Sequence, residues 1–448
     1  MSRRKPLGLA TIFTSVGLML LAACSDNTSP ATAGINKINH VVVIYLENHS
    51  FDNLYGEFAG ANGLAGATSA PLQVNASGAA YATLPQVNGS PFPTTLPNAP
   101  FNIDQYVAPT VAIRDLVHRY YQEQMQIDGG KMDMFAQVSD AQGLTMGYYH
   151  TAPLPLAAEA GTYTLADNFF HSAFGGSFLN HIFLVAAAAP VFPNAPAGIT
   201  AVLDGSGKLV TDGAVTPDGY AVNTSFTVNQ PHPATVTADR LVPNQTIPTI
   251  GDRMDDAGVT WAWFAGGWNA ALAGTPDPLF QFHHQPFAYF AKYADGTAAK
   301  SLHLKDETDF MAAASAGTLP AVSFVKPIGA NNEHPGYTDL MSGENHVLAL
   351  INAVRNGPNW KDAAIIITYD EHGGFWDHVA PPVIDRWGPG SRVPTIIISP
   401  FARKKFIDHT QYETVSILAF IEARWHLTAL TSRDAKAANL TAAFDFTQ

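Results

Sequence analysis

Residues 38–52 read INHVVVIYLENHSFD, a β-branched and nearly continuous apolar run that leads directly into polar side chains. Such a run is typical of a strand buried on both faces of a parallel sheet. Similar runs follow along the chain: AVSFV at 321–325, AAIIITY at 363–369 and VPTIIIS at 393–399. Apolar residues at helical spacing alternate with them, at 111–127, 344–356 and 413–428. This alternation predicts an α/β fold with a central, mainly parallel sheet flanked by helices.

The amino-acid composition argues against several classes of protein. Of the 448 residues, 47% are apolar, which is enough for a large core and too many for a disordered chain. The net charge of −13 argues against nucleic acid as a partner, since nucleic-acid binding needs a basic surface. The single cysteine excludes a disulfide framework within the chain and any zinc site built from several cysteines.

The N-terminus is predicted to be a sorting signal. A basic start at residues 3–5 precedes an apolar run at 7–23, which is typical of a signal peptide. The sequence Leu21-Ala22-Ala23-Cys24 resembles the bacterial lipobox, which implies cleavage before Cys24 and lipid on its thiol. We therefore expect an exported lipoprotein of the periplasm or outer membrane, anchored through Cys24, with residues 24–35 as a tether. The alternative is an ordinary cleaved signal and a secreted protein.

The rest of the chain is predicted to form one large domain, residues 36–430. Residues 190–246 are rich in Pro, Thr, Val and Asn and contain few helix formers, so we expect an irregular or β-rich insertion there. Residues 431–448 are expected to form a loose C-terminal tail.

Carboxylates follow two of the predicted strands directly. Glu47 and Asn48 come after the first strand, and Asp370 and Glu371 come after the strand at 363–369. An isolated buried charge is too costly, so such carboxylates must be paired, hydrated or bound to metal. Oxygen ligands at one rim of a sheet indicate a site for a hard cation. The alternative is a set of solvated loop residues or helix caps.

A third segment, residues 170–181, reads FHSAFGGSFLNH. The glycines before Ser177 allow a tight turn into a helix, and backbone amides at a helix start stabilise an anion. Ser177 is thus a candidate nucleophile, although a helix-capping role is the simpler interpretation of this segment alone. The histidines at 118, 283, 284 and 334 are further candidates, each of which on its own is more often structural. No G-x-S-x-G motif occurs, which argues against an ordinary esterase.

Three motifs in this order resemble one family. They are Glu47-Asn48-His49-Ser50-Phe51-Asp52, then Gly176-Ser177 with Asn180-His181, then the run from Asp370 to His378. The combination resembles the bacterial phosphoesterases that join phospholipases C and the acid phosphatase A type, a branch of the alkaline-phosphatase superfamily. The resemblance covers about residues 36–430 and implies an alkaline-phosphatase-like fold.

The resemblance also implies a mechanism. One divalent metal ion of unknown identity would be held by Glu47, Asn48, Ser177, Asp370 and Glu371. Ser177 would attack phosphorus and form a phosphoserine that water hydrolyses. One or more of four histidines would steady the phosphoryl oxygens or protonate the leaving group: His118, His283, His284 and His334. His372 and His378 are expected to be structural or to support the ligands.

Within the family, residues 44–56 and 60–63 read closer to the acid phosphatase branch, because phospholipase members usually carry Arg where His49 stands. We therefore expect a metal-dependent, broad-specificity acid phosphatase acting on small phosphate monoesters. The alternative is a phospholipase C that releases a phosphorylated head group from phospholipid. A non-catalytic surface lipoprotein is the third hypothesis.

Overall fold

The computed structural model describes residues 1–2 and 34–448. The predicted signal sequence, the lipidation site Cys24 and nearly all of the tether lie outside the described residues. Among the described residues, no helix combines the length and the hydrophobicity needed to cross a bilayer.

An eight-stranded sheet forms the centre of the molecule. Its strands are β1 (His40–Leu46), β4 (Thr164–Ala166), β10 (Trp261–Ala265), β11 (Leu304–Asp306), β12 (Val322–Lys326), β13 (Ala363–Tyr369), β14 (Thr395–Ile398) and β15 (Phe406–Asp408). Their spatial order is β11-β10-β12-β1-β13-β14-β4-β15. Only β14 runs antiparallel to its neighbours, β13 and β4. The predicted α/β class with a mainly parallel central sheet is confirmed.

The strands at the middle of the sheet are apolar on both faces because helices cover both. Val43 on β1 pairs with Phe324 on β12 and with Ile366 on β13, and all three side chains are fully buried. Parallel strands at the centre of a sheet are expected to be continuously apolar in this way. The three strands end at the same rim, where the polar residues begin.

Eleven α-helices lie within the described residues. They are α1 (Phe51–Tyr55), α2 (Tyr120–Ile127), α3 (Phe135–Val138), α4 (Pro155–Thr162), α5 (Ser177–Ala186), α6 (Ile250–Asp256), α7 (Trp268–Leu272), α8 (Ala298–His303), α9 (Glu307–Ala316), α10 (Leu340–Arg355) and α11 (Val415–Trp425). Helix α10 packs against α4 and α9, and α11 packs against α5. Helix α5 is buried along its whole length, so its first residue is fixed relative to the sheet.

The predicted helix at 111–127 is wrong for its first part, because only Tyr120–Ile127 is helical. The preceding segment makes its backbone hydrogen bonds with distant parts of the chain. Val117 N donates to Asp140 Oδ1 (2.8 Å), and the carbonyl of Ile113 accepts from Gly336 N (2.7 Å). These tertiary hydrogen bonds hold residues 111–119 out of the helix, so His118 lies on a loop.

Short paired strands lie outside the main sheet: β2 (Phe101–Asn102), β3 (Gly147–Tyr148), β5 (Phe169–Phe170), β6 (Val202–Leu203), β7 (Leu209–Thr211), β8 (Phe226–Thr227), β9 (Leu241–Val242) and β16 (Tyr412–Glu413). Strands β6 to β9 lie within residues 190–246, together with two single-turn helical segments, Ala197–Ile199 and Ala238–Arg240. Residues 431–448 differ from the expected loose tail. Leu440 and Ala443 are fully buried, and Arg403 N donates to the carbonyl of Ala443 (2.9 Å).

Candidate active site

The end of β1 places Glu47 at the centre of a buried polar cluster. Its side chain is fully buried, and Oε2 accepts a hydrogen bond from Ser177 Oγ at 3.0 Å. The other oxygen, Oε1, pairs with the ammonium of Lys326 and lies 2.9 Å from His284 Nε2. These positive and polar neighbours hold the pKa of Glu47 well below its usual range in spite of burial, which alone would raise it. Glu47 is therefore an ionised carboxylate.

Ser177 is the first residue of α5. The two glycines before it allow the chain to pass close to the backbone of residues 118–120. Gly175 has a φ of 88°, and a Cβ at this position would collide with the backbone of Tyr120. A Cβ on Gly176 would lie 2.8 Å from the carbonyl oxygen of His118. Gly176 is the N-cap residue, so the capping role considered for Ser177 is not the one it plays. Its hydroxyl instead turns toward Glu47.

Three buried oxygen atoms of the predicted metal ligands have no hydrogen-bond partner. They are Asn48 Oδ1, Asp370 Oδ2 and Glu371 Oε1. Burial and the Glu47 carboxylate raise the pKa of Asp370, and burial and the Asp370 carboxylate raise that of Glu371. Buried acceptors without donors, beside carboxylates that repel one another, fit a cation that would satisfy all of them. The residues predicted as metal ligands are thus chemically suited to a hard divalent ion.

The loops after β1 and β13 are interlocked at this point. Asn48 has a φ of 144°, and Gly373 has a φ of 62°. A Cβ at Gly373 would collide with the backbone of Asn48, so the two loops approach more closely than a side chain would allow. Because of this approach, the residues that end the two strands lie side by side.

All four predicted histidines lie around the carboxylates. His334 Nε2 is 3.9 Å from Glu47 Oε2, and His118 Nε2 is 3.8 Å from Glu371 Oε1. The rings of His283 and His284 are 4.4 Å apart, with His284 next to Glu47. Burial lowers the pKa of His284 to about 4, and it also lowers the pKa values of His283 and His334. These three imidazoles are therefore neutral near pH 7 and can accept a proton there.

Two residues that sequence reasoning missed also face Glu47. Lys326 ends β12, is 1% exposed, and lies 5.5 Å from the centre of the Tyr45 ring. Its signal was a lysine directly after the apolar run at 321–325, at the same rim as Glu47. His181 was noticed only as part of a motif. Its ring stacks on His284 at 4.7 Å, and its Nε2 atom is buried without a partner.

His372 and His378 lie apart from the cluster around Glu47 and Ser177. His378 Nδ1 is 2.6 Å from Asp52 Oδ2, in an ionic network with Asp377 and the fully buried Arg392. The ring of His372 lies parallel to that of His171 at 5.4 Å. Neither histidine contacts Ser177.

Several groups of acidic and histidine side chains could hold a metal ion. In each of four groups within the described chain, the ligand atoms lie within 4.8 Å of one another: Glu47-His181-His284, Asp115-His118-His334, Glu123-His171-His372 and Asp52-Asp377-His378. The first two of these groups border the predicted ligand set. The protein thus has candidate metal-binding groups at the site and beside it.

A cavity of about 610 Å³ opens beside the cluster and reaches Gly176 and His118. Most of its lining residues are of polar or charged type, among them Arg114, Arg119, Asp140 and Asn223. Arg114 also lines a second cavity of about 370 Å³, which is mainly apolar. The apolar lining residues include Phe92, Val107, Val111, Ile113 and Leu144.

Two known proteins that are similar to this chain both carry the name phospholipase C. The chain is 26% identical to phospholipase C A of Mycobacterium tuberculosis over 93% of this chain and 79% of that protein. It is also 26% identical to phospholipase C B of the same organism, over all of this chain and 86% of the relative.

Solved structures of similar architecture are more remote. One is a Vibrio parahaemolyticus protein described as belonging to the alkaline phosphatase superfamily, with a TM-score of 0.36 and 8% identity over 72% of this chain and 70% of that one. Another is a phosphonate monoester hydrolase of Silicibacter pomeroyi, with a TM-score of 0.33 and 12% identity over 62% of this chain and 70% of that one.

The sequence model of the Phosphoesterase family matches residues 38–428, a range that contains the whole cluster around Glu47 and Ser177. Because this match extends over most of the chain, the protein belongs to the Phosphoesterase family and is a hydrolase acting on phosphoric ester bonds.

Proposed function

We propose that the protein is a metal-dependent, broad-specificity acid phosphatase that hydrolyses phosphate monoesters with Ser177 as the nucleophile. The observation that carries this proposal is the position of Ser177. Its hydroxyl stands at the start of a buried helix, 3.0 Å from an ionised carboxylate, and the predicted ligands that follow β1 and β13 carry three buried oxygen acceptors without a partner. A serine needs such surroundings to be activated.

One divalent cation would be held by Glu47, Asn48, Asp370 and Glu371 together with Ser177. When bound, it would lower the pKa of the serine hydroxyl and neutralise negative charge that develops at phosphorus. The oxygen-rich ligand set suits Mg²⁺, Ca²⁺ or Mn²⁺.

The protein's own groups supply orientation and proton transfer. Glu47 accepts the hydrogen bond from Ser177 and so aims Oγ toward the site. The backbone amides at the start of α5 would stabilise the charge of the phosphoryl oxygens. As the Oγ–P bond forms, the Ser177 hydroxyl gives its proton to a histidine among His118, His283, His284 and His334, the ester P–O bond breaks, and that histidine passes the proton to the leaving oxygen. Water then hydrolyses the phosphoserine and releases phosphate.

The charged cavity supports a small polar leaving group. Arg114, Arg119 and Asp140 line the approach to Gly176, a wall that suits a hydrophilic alcohol better than an acyl chain. The second candidate is a phospholipase C, which two observations favour. The relatives above carry that name, and the adjoining apolar cavity could receive the lipid part of a phospholipid.

Export and lipid anchoring at Cys24 are part of the proposal and rest on residues 3–24 of the sequence alone. An anchored enzyme would meet phosphorylated substrates outside the cytoplasm.

The test compares p-nitrophenyl phosphate with p-nitrophenyl phosphorylcholine, from acidic to alkaline pH, in wild type and Ser177→Ala. Monoester turnover that disappears in the variant supports the phosphatase. Preference for the choline ester would favour the phospholipase with the same nucleophile. Equal activity of variant and wild type would rule out Ser177 as the nucleophile.

A further inference from the structure

A second buried carboxylate, Glu123 on α2, joins three separate segments of the chain. Its side chain is fully buried. Oε2 accepts a hydrogen bond from Gly175 N at 2.6 Å, and Oε1 accepts from Ser391 N at 2.9 Å and Ser391 Oγ at 3.2 Å. Gly175 belongs to the loop that presents Ser177, so this carboxylate holds the nucleophile loop by its backbone.

Two histidines also face the same carboxylate. His171 Nε2 lies 2.9 Å and His372 Nε2 lies 3.6 Å from Glu123 Oε1. The Nδ1 atom of His171 donates to the carbonyl of Ala173 (2.8 Å), and that of His372 donates to the carbonyl of Phe375 (3.0 Å). His171 is therefore held at both ring nitrogens, between its own loop and Glu123, whereas His372 is held at Nδ1 and lies against the Glu123 carboxylate without a hydrogen bond at Nε2.

The two loops held in this way supply different parts of the candidate site. His171 and Gly175 belong to the loop that ends at Ser177. His372 directly follows Glu371, one of the predicted metal ligands. Gly390 packs against the cluster so closely that a Cβ there would collide with His171 and Glu123. The three segments are thus in close contact. A change at Glu123 must therefore alter both the loop that ends at Ser177 and the loop that follows Glu371.

We propose that Glu123 is a positioning residue that fixes the distance between the Ser177 hydroxyl and the Glu371 carboxylate. This inference rests on the proposed function, since it assigns Glu123 to the same phosphoester site. Glu123 touches neither Ser177 nor Glu371 and acts through the Gly175 amide and the His372 ring. A misplacement of about 1 Å at a reacting atom can lower the rate by about two orders of magnitude. Loss of a supporting hydrogen bond behind a metal ligand typically weakens metal binding or activity by about 10–100-fold.

The substitution Glu123→Gln tests the proposal because it keeps the size of the side chain and an acceptor for Gly175. It removes the negative charge that faces the two imidazoles. We expect kcat for p-nitrophenyl phosphate to fall by about 10–100-fold with KM changed by less than about threefold. The dissociation constant for Mn²⁺, measured by equilibrium dialysis, is expected to rise about tenfold.

The matched control is Asp408→Asn, at another buried carboxylate. Asp408 is 2% exposed, and its oxygens accept from Tyr412 Oη (2.8 Å) and Thr410 N (3.0 Å). We expect this variant to lower the melting temperature with kcat and Mn²⁺ affinity unchanged. If both variants lose kcat in proportion to their loss of melting temperature, the role of Glu123 is only structural and the proposal fails. Unchanged kcat and Mn²⁺ affinity in Glu123→Gln would also overturn it.

If Glu123→Gln does not fold, His372→Gln carries the same test, because His372 directly follows Glu371 and links it to Glu123. Weaker Mn²⁺ binding in that variant supports the proposal, and unchanged binding overturns it. The Mn²⁺ measurement also separates the proposed phosphatase function from the positioning role of Glu123. A wild-type protein without phosphatase activity would contradict the proposed function, whereas the effect of Glu123 on Mn²⁺ affinity would still test the positioning role.

Discussion

Ser177 Oγ donates a hydrogen bond to Glu47 Oε2 at 3.0 Å, which joins the first residue of α5 to the residue that follows β1. The two residues are 130 positions apart in the sequence. Both lie on buried elements, so neither can shift without disturbing the packing of the sheet. A nucleophile and a carboxylate fixed in this way are ready for catalysis before the substrate arrives.

The substitution Ser177→Ala is expected to lower kcat for p-nitrophenyl phosphate by several orders of magnitude, because it removes the proposed nucleophile. The control is Ser342→Ala. Ser342 also lies in the first turn of a helix and bonds a carboxylate, that of Asp339 (2.6 Å), but this carboxylate is on the surface. The turnover of the Ser342→Ala variant should equal that of the wild type. Phosphoserine trapped at Ser177 by acid quench and mass spectrometry would provide a direct check.

Removal of the metal is expected to abolish turnover and to be reversible. Glu371 Oε1 is buried and unpartnered, so Glu371→Gln removes one ligand charge while Gly373 N keeps its acceptor (2.6 Å in the wild type). The dissociation constant for Mn²⁺ should rise by at least about tenfold, since ligand charge sets the affinity of such sites. Equilibrium dialysis measures this change. Full activity after exhaustive chelation would contradict a metal-dependent reaction.

Lys326→Met is expected to destabilise the metal-free protein strongly. The lysine and Glu47 form a buried pair, and removal of one partner from such a pair costs about 3–5 kcal/mol in free energy of unfolding. Bound Mn²⁺ would compensate the charge of Glu47, so the loss should be smaller when Mn²⁺ is present. Urea unfolding with and without Mn²⁺ measures both quantities.

The control for this prediction is Lys131→Met. Lys131 pairs with Asp128, and the two side chains are 66% and 41% exposed, so we expect a much smaller loss of stability than for Lys326→Met. A destabilisation of Lys326→Met that is the same with and without Mn²⁺ would contradict the proposed position of the cation.

Much of the sheet and of the rim could be predicted from the sequence, because those features are local. The run at 363–369 coincides with β13, and the predicted first strand begins two residues before β1. The carboxylates that follow these strands had to meet at one edge, since the strands are parallel neighbours. The placement of Glu47 next to Asp370 follows from this topology alone.

The remaining features depend on partners that are distant in the sequence. Glu123 looks ordinary in its own segment, and its importance appears only when other loops fold against it. The pattern at 111–119 suggested a helix, but hydrogen bonds to Asp140 and Gly336 hold this segment extended. Local spacing cannot reveal such competition, because the competing partners are more than 20 residues away.

Glu344 on α10 provides a test of stability away from the site. Its side chain is fully buried, Oε1 has no hydrogen-bond partner, and Oε2 accepts from Leu156 N at 2.6 Å. Burial raises the pKa of Glu344 to about 8, and burial and Glu344 together raise the pKa of Glu333. Between the unfolded value of about 4.3 and the folded value, the native state binds more protons than the unfolded state. Stability therefore falls as the pH rises through this range, and the loss is complete above the folded pKa.

The substitution Glu344→Gln removes the charge and keeps an acceptor for Leu156 N. We expect the variant to be more stable than the wild type above about pH 8, by about 1–3 kcal/mol, which is the cost of a buried polar group without a partner. At about pH 5 the two proteins should be nearly equal, because most of the native Glu344 is already neutral. Urea unfolding at both pH values measures the difference, with Asp239→Asn as the control at an exposed carboxylate. Stability curves that run parallel for the variant and the wild type would show that Glu344 is ionised in the native state, with a donor or cation that compensates it.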